Sequence, residues 1–194
     1  MNRPIQNPVS PPQESRLGGI PPRCVFVSGP RGAGKTRWMQ ERILELVARH
    51  PGIHCAVVLA EDGHTRMERF AHDVPGVAVR RVLLPCPCCP ARADLPGTIR
   101  QLTGETGADW LFVESPAVAA AGLLGEFDRE LGWPRQIVLR LDEKWERLRQ
   151  GGEAPPFLSA LLEQADLVLP AAPPDAATPP PGVRPAGGSN LILT

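Results

Sequence analysis

The chain has 194 residues, which is enough for one domain with a sizeable core. Its 21 basic and 21 acidic side chains give a formal net charge of zero, so no basic footprint indicates binding to DNA or RNA. No apolar run approaches the ~20 residues that cross a bilayer, and residues 1–22 lack the apolar segment of a signal peptide. We therefore predict a cytoplasmic protein that binds neither nucleic acid nor membrane.

Composition divides the chain into two tails and a central domain. More than half of the 24 prolines fall in residues 1–22 and 170–194, which hold few large apolar side chains. Such segments cannot offset the entropy lost on ordering. We predict a disordered N-terminal tail over 1–22, a folded domain over 23–170 and a Pro/Ala/Gly-rich tail over 171–194.

Short apolar runs alternate with helical patterns between the tails. The runs predict strands at 23–28, 55–60, 77–84, 110–113, 136–141 and 167–169. Amphipathic or Ala/Leu-rich patterns predict helices that end at 50 and that span 65–72, 94–103, 117–131, 141–150 and 157–164. Nearly continuous apolar strands that alternate with helices are typical of a parallel sheet covered on both faces. The predicted fold class is α/β, with three layers and a mostly parallel central sheet.

The first predicted strand leads into a glycine-rich loop with the spacing G-x-x-x-x-G-K-[ST], at residues 29–36. Its glycines let backbone N–H groups turn toward phosphate oxygens, and the following helix adds its positive N-terminus. An ordinary glycine-rich turn is the alternative, but strand, loop and helix together favour a P-loop NTPase domain. The candidate nucleotide-binding residues are Gly29, Arg31, Gly32, Ala33, Gly34, Lys35 and Thr36.

Acidic residues follow two of the predicted strands. Glu114 comes directly after strand 110–113, where an acid can help to hold Mg²⁺ beside a phosphate loop. Glu61, Asp62 and Gly63 follow strand 55–60 and could serve Mg²⁺ or a second metal, although the same residues suit an ordinary turn. We predict that Thr36 and Glu114 bind Mg²⁺, and that the catalytic residues are Lys35, Glu114 and Glu61.

Three of the five cysteines lie within four residues, as Cys86, Cys88 and Cys89. Thiolates in such a cluster suit Zn²⁺ or a similar thiophilic metal, and adjacent cysteines pair with one another only under strain. A fourth ligand could come from Glu61, His64 or His72, or from a second copy of the cluster in a homodimer. The alternative is a set of small buried residues in a proline-rich turn.

Taken together, these motifs resemble the CobW/HypB/UreG family of P-loop GTPases, and in particular its CobW-like metallochaperone branch. The loop at 29–36, the segment 60–63, the C-x-C-C motif at 86–89, the segment 92–95 and the strand with its following residues at 109–117 match the family motifs in order. The resemblance implies a nucleotide-binding domain that uses GTP and Mg²⁺. It also implies a transition-metal cargo such as Zn²⁺ and a client metalloprotein.

Two positions depart from the family pattern. The guanine-reading N-K-x-D motif is expected after strand 167–169, but residues 170–173 are Pro-Ala-Ala-Pro. Ala117 stands where the family has a glycine whose N–H senses the terminal phosphate. The choice between GTP and ATP therefore stays open, and we expect hydrolysis to be slow unless a partner completes the site.

Two alternative functions remain at the level of the sequence. The missing N-K-x-D motif fits a degenerate, non-hydrolysing regulatory module that binds nucleotide or metal and works through partners. A small-molecule kinase would need an arginine-bearing lid, which Arg140, Arg147 and Arg149 could form. The kinase interpretation leaves the C-x-C-C motif without a role.

Overall fold

The computed structural model describes residues 20–60, 66–82 and 94–170. Strands and helices alternate along most of this part of the chain. In chain order the elements are β1 (Arg23–Gly29), α1 (Lys35–Arg49), β2 (Cys55–Leu59), α2 (Met67–Asp73), β3 (Val77–Arg81), α3 (Leu95–Thr106), β4 (Trp110–Pro116), α4 (Ala117–Glu130), β5 (Arg135–Arg140), α5 (Glu143–Gln150), α6 (Pro156–Gln164) and β6 (Leu167–Leu169).

All six strands form one sheet in the order β3-β2-β4-β1-β5-β6, and every pair of neighbours is parallel. The predicted α/β class with a parallel central sheet is confirmed. Strand β1, which leads into the glycine-rich loop, lies between β4 and β5. Because carboxyl ends of parallel strands meet at one edge, the residues that follow β1, β4 and β5 face the same crevice.

Helices cover both faces of the sheet, so the fold has three layers. On one face, α1 and α2 bury Met39, Ile43 and Met67 against the odd-numbered residues of β1 and β2. On the other face, α3, α4 and α6 contribute Ile99, Phe127 and Leu158, respectively, to a second apolar cluster. Rings of Phe26 and Phe127 meet edge to face with centroids 4.8 Å apart in that cluster. Burial on both faces explains why β1, β2 and β4 consist of nearly continuous apolar residues.

Element boundaries differ from the predicted ones by a few residues. Strand β4 continues to Pro116 rather than ending at 113, because its last residues pair with the end of β1. Helix α5 begins at Glu143 rather than 141, since the Asp142 side chain accepts a hydrogen bond from the Trp145 N–H and so caps the helix. Among the described residues, no helix is both long enough and apolar enough to cross a bilayer.

Candidate functional site

The glycine-rich loop begins where β1 passes closest to β5. Gly29 has a φ of +147°, and a Cβ at this position would lie 2.1 Å from the carbonyl oxygen of Arg140. Gly34 has a φ of +78° and is the N-cap of α1. Only glycine fits the first position, and glycine is strongly favoured at the second, so the loop geometry accounts for both fixed glycines of the G-x-x-x-x-G-K-[ST] spacing.

Lys35 is buried inside this loop and is only 4% exposed. Its Nζ atom donates hydrogen bonds to the carbonyl oxygens of Gly29, at 3.0 Å, and Pro30, at 2.9 Å. The ammonium group is therefore held where the loop turns toward the helix N-terminus. Both the fixed charge and the N-terminus of α1 favour an anion at this place.

Thr36 of α1 and Glu114 of β4 meet on the same face of the sheet although 78 residues separate them. The Thr36 Oγ1 atom donates to the Glu114 carboxylate, with distances of 2.9 Å to Oε2 and 3.1 Å to Oε1. Glu114 is 4% exposed and lies within β4 rather than after its end, on the face that α1 covers. A hydroxyl and a carboxylate are hard oxygen donors of the kind that Mg²⁺ prefers.

Three features of this site fit a Mg²⁺-bound nucleotide. They are the buried ammonium of Lys35, the loop that excludes a Cβ at Gly29, and the adjacent oxygen donors of Thr36 and Glu114. Ala117, at the first position of α4, needs no left-handed conformation here, because every described residue with a positive φ is a glycine. Arg31 is exposed at the outer side of the loop.

Arg140 is a residue of this site that sequence reasoning did not place here. It ends β5, is 8% exposed, and donates a hydrogen bond from Nε to the carbonyl oxygen of Ala33 at 3.1 Å. Burial lowers the pKa of its guanidinium, the charge of Arg37 lowers it further, and the charge of Glu41 raises it. The sequence offered Arg140 only as a lid residue of the alternative kinase, at the carboxyl end of a strand that also begins with an arginine.

Two serine hydroxyls lie beneath the loop. Ser28 of β1 and Ser115 of β4 are register partners, at 1% and 0% exposure. Neither Oγ atom has a hydrogen-bond partner among the residues that the structure describes. The two hydroxyls are therefore buried polar groups at the strand ends that carry the loop and Glu114, on the face opposite to α1.

Several predicted site residues lie outside the described residues: Glu61, His64, Cys86, Cys88 and Cys89. Within residues 20–60, 66–82 and 94–170, no group of three or more His, Cys, Asp or Glu side chains could hold a metal ion. His72, the remaining candidate for a fourth ligand, is largely exposed beside Asp73. Arg149, predicted as a kinase lid residue, pairs with Glu146 on its own helix.

Comparison with models of known protein families shows to which family this chain belongs. The model of the family described as CobW/HypB/UreG, nucleotide-binding domain, matches residues 23–169. The chain belongs to the CobW/HypB/UreG family. The matched region contains the glycine-rich loop, Thr36, Glu114 and Arg140. The family resemblance predicted from the motifs is confirmed, and nucleotide binding is supported for this domain.

Solved structures with a similar fold are P-loop GTPases. The signal recognition particle receptor FtsY from Elizabethkingia anophelis, in complex with GDP, has 17% sequence identity and a TM-score of 0.53. The match covers 81% of this chain and 52% of the FtsY chain, so the chain spans about half the length of that protein. A second FtsY structure from the same organism has 17% identity and a TM-score of 0.53, with 78% and 51% of the two chains covered. These similarities support the P-loop fold.

The hydrogenase maturation factor HypB from Archaeoglobus fulgidus is also similar, with 14% identity and a TM-score of 0.40. That match covers 77% of this chain and 81% of the HypB chain. No curated protein matched the sequence.

Proposed function

We propose that this protein is a GTP-dependent metallochaperone or metal-insertion accessory protein, in which the described domain binds the nucleotide. The observation that carries the proposal is the contact between Thr36 and Glu114 beside the buried ammonium of Lys35. This arrangement offers separate positions for phosphate and for a divalent cation. Family membership supports GTP as the nucleotide, and the C-x-C-C motif supports a metal cargo.

The residues of the site have different roles toward the nucleotide. Backbone N–H groups of residues 29–36 and the Lys35 ammonium bind the phosphates, as in other loops of this spacing. Thr36 and Glu114 hold Mg²⁺ or its water shell, and bound Mg²⁺ neutralises charge that develops on the terminal phosphates. Glu61 orients the attacking water. Hydrolysis is slow in the isolated protein, because a partner supplies the remaining charge.

The metal cargo is a thiophilic ion such as Zn²⁺, bound by Cys86, Cys88 and Cys89 for delivery to a client metalloprotein. Three thiolates leave one position of a tetrahedral ion for a ligand from the client, from another residue of this chain or from a second copy in a homodimer. Because thiolates at such a site must stay reduced, the proposed location is the cytoplasm.

Hydrogen bonds between strands support a coupling of the nucleotide site to the cargo site. The Ala60 N–H donates to the Glu114 carbonyl oxygen at 2.8 Å, and the Val82 N–H donates to the Leu59 carbonyl oxygen at 2.9 Å. Residues 60 and 82 are the last described residues before the segments 61–65 and 83–93, which contain Glu61 and the cysteines. A movement of β4 at Glu114 therefore reaches the beginning of both segments through two backbone contacts.

Calorimetric titration of the reduced protein tests this function. GTP and ATP are titrated with Mg²⁺, with and without one equivalent of Zn²⁺, into the wild type and into the triple variant Cys86→Ser, Cys88→Ser, Cys89→Ser. Cys55→Ala is the matched control, because Cys55 is fully buried in β2. We expect Zn²⁺ to change the affinity for GTP in the wild type and the control but not in the triple variant.

Two outcomes would contradict the proposal in different ways. Nucleotide binding that is the same with and without Zn²⁺ in the wild type would remove the coupling between the two sites. Binding of Zn²⁺ without binding of either nucleotide would exclude a GTPase and leave the non-hydrolysing metal-binding module as the function.

A further inference from the structure

Arg140 contacts the glycine-rich loop at its first residue and near its end. Its carbonyl oxygen would lie 2.1 Å from a Cβ of Gly29, its Nε atom donates to the Ala33 carbonyl oxygen, and its Nη2 atom would lie 3.3 Å from a Cβ of Gly34. One residue at the end of β5 therefore closes the side of the loop that faces away from β4. Nothing in the proposed roles of Lys35, Thr36 and Glu114 requires a second buried cation here.

The surroundings of this guanidinium favour an anion. Arg140 lies beside Gly34, the N-cap of α1, where the helix dipole is positive. The charge of Arg37 acts on it unfavourably, and the charge of Glu41 acts favourably from the same helix. Among the described residues, the hydrogen bond from Nε is the only one that its side chain makes, so the terminal N–H groups are available to a ligand. A buried cation in such a place costs free energy unless an anion joins it.

The two sides of the loop differ in what they can hold. Thr36 and Glu114 would hold a divalent cation, and with it the terminal phosphates, on the side of β4. The remainder of a bound nucleotide must then leave the loop on the side of β5, because β1 lies between these two strands. Arg140 is the charged residue at the carboxyl end of β5.

We propose that Arg140 binds the phosphate next to the nucleoside, and that it is a nucleotide-binding residue of this chain in addition to the loop. The inference rests on the proposed function, because it requires that the loop bind a nucleoside di- or triphosphate. The planar guanidinium keeps Nε on Ala33 while its terminal nitrogens donate to phosphate oxygens. A lysine carries all its donors on one nitrogen atom, so it does not reproduce the separated Nε and terminal N–H groups of the planar guanidinium.

The test measures the affinity for GDP and, separately, the chemical environment of each of its two phosphates. GDP with Mg²⁺ is titrated by calorimetry into the wild type, Arg140→Gln, Arg140→Lys and Arg135→Gln, and the ³¹P spectrum of bound GDP is recorded for each. Arg135 is the matched control, because it begins the same strand and pairs with Asp128 through Nη2 at 2.7 Å. Thermal unfolding without ligand verifies that each variant is folded.

We expect Arg140→Gln to weaken GDP binding by roughly 10- to 100-fold, as for the loss of one or two charged hydrogen bonds. The α-phosphorus resonance should move more than the β-phosphorus resonance, and Arg135→Gln should change neither affinity nor spectrum. Arg140→Lys should move the α-phosphorus resonance in the same direction, with a smaller loss of GDP affinity. If Arg140→Gln does not fold, the comparison is made with Arg140→Lys instead.

Three results would overturn the inference. Equal movement of both resonances would mean that Arg140 only shapes the loop. Unchanged affinity in Arg140→Gln, with normal GDP binding by the wild type, would remove Arg140 from the nucleotide site and leave the proposed function standing. Failure of the wild type itself to bind GDP would instead refute the proposed function, and the role of Arg140 with it.

Discussion

Two buried thiols show how position in the fold changes the chemistry of cysteine. Cys24 in β1 is 3% exposed and Cys55 in β2 is fully buried. Burial raises the pKa of each thiol from 9.0 to about 12, and for Cys55 the charge of Asp109 raises it as well. Since the thiolate is the metal ligand, these two residues stay neutral and cannot serve the proposed cargo site.

The raised pKa values predict a loss of stability in alkali. Below pH 9 both thiols are protonated in the folded and the unfolded chain, so their contribution is fully present. Between pH 9 and pH 12 they ionise only in the unfolded chain, which lowers the free energy of unfolding. From pH 8 to pH 10 we expect a loss of roughly 1 kcal/mol for each of the two.

Urea unfolding at pH 8 and pH 10 measures this loss, with Cys55→Ala as the variant that should reduce it by about half. Cys86, Cys88 and Cys89 are common to the wild type and the variant, so the comparison between the two isolates Cys55; other groups add little in this range, because the chain has no tyrosine and its only lysines are Lys35 and Lys144. Equal stability at the two pH values would show that these thiols ionise as readily in the folded protein as in the unfolded chain.

Helix α3 shows how one element begins at a defined residue. The Asp94 side chain accepts a hydrogen bond from the Gly97 N–H at 2.7 Å, which caps the helix directly after the segment 83–93. A Cβ on Gly97 would lie 2.0 Å from Asp94 Oδ2, whereas a Cβ on Gly104 would meet nothing within 4 Å. The two glycines of this helix therefore have different roles, because only the absence of a side chain at Gly97 leaves room for the Asp94 cap.

Paired substitutions in α3 test this difference. Gly104→Ala should raise the free energy of unfolding by about 1 kcal/mol, because alanine is the better helix former. Gly97→Ala gains the same helix propensity but displaces the Asp94 carboxylate, whose cap is worth about 1 kcal/mol, so we expect no net gain. Chemical denaturation measures both variants, and equal stabilisation by the two would contradict a functional cap at Asp94.

At the scale of the whole molecule, both apolar clusters are built from described residues between 24 and 169. They contain every strand of the sheet from β3 to β6. The part of the core that the structure describes lies within the predicted domain over 23–170.

A chain shortened to residues 20–170 tests the predicted domain limits. It should unfold cooperatively, with a midpoint within about 2 °C of the full chain, because segments outside the core contribute little to stability. GDP binding should be retained to the same extent in both. A midpoint lowered by about 5 °C or more would show that one of the tails packs on the domain and that its limits lie further out.

Different parts of the site were predictable to different degrees. The spacing of residues 29–36 predicts the loop because backbone geometry at Gly29 and Gly34 admits few alternatives. Glu114 could be chosen by its place near a strand end, but its place within β4 depends on pairing of Ser115 and Pro116 with β1, which their own propensities do not predict. Arg140 could be offered only as a lid residue of a kinase, because its contact with Ala33 joins residues that lie far apart in the chain.

The alternation of strands and helices, the glycine-rich loop and the family can all be inferred from the amino-acid sequence, because they depend on periodicity and on short motifs with tight backbone requirements. The position of β1 between β4 and β5 is visible only in the folded chain. That order comes from pairing between strands far apart in the chain, which no local pattern encodes. It brings Glu114 to one side of the loop and Arg140 to the other.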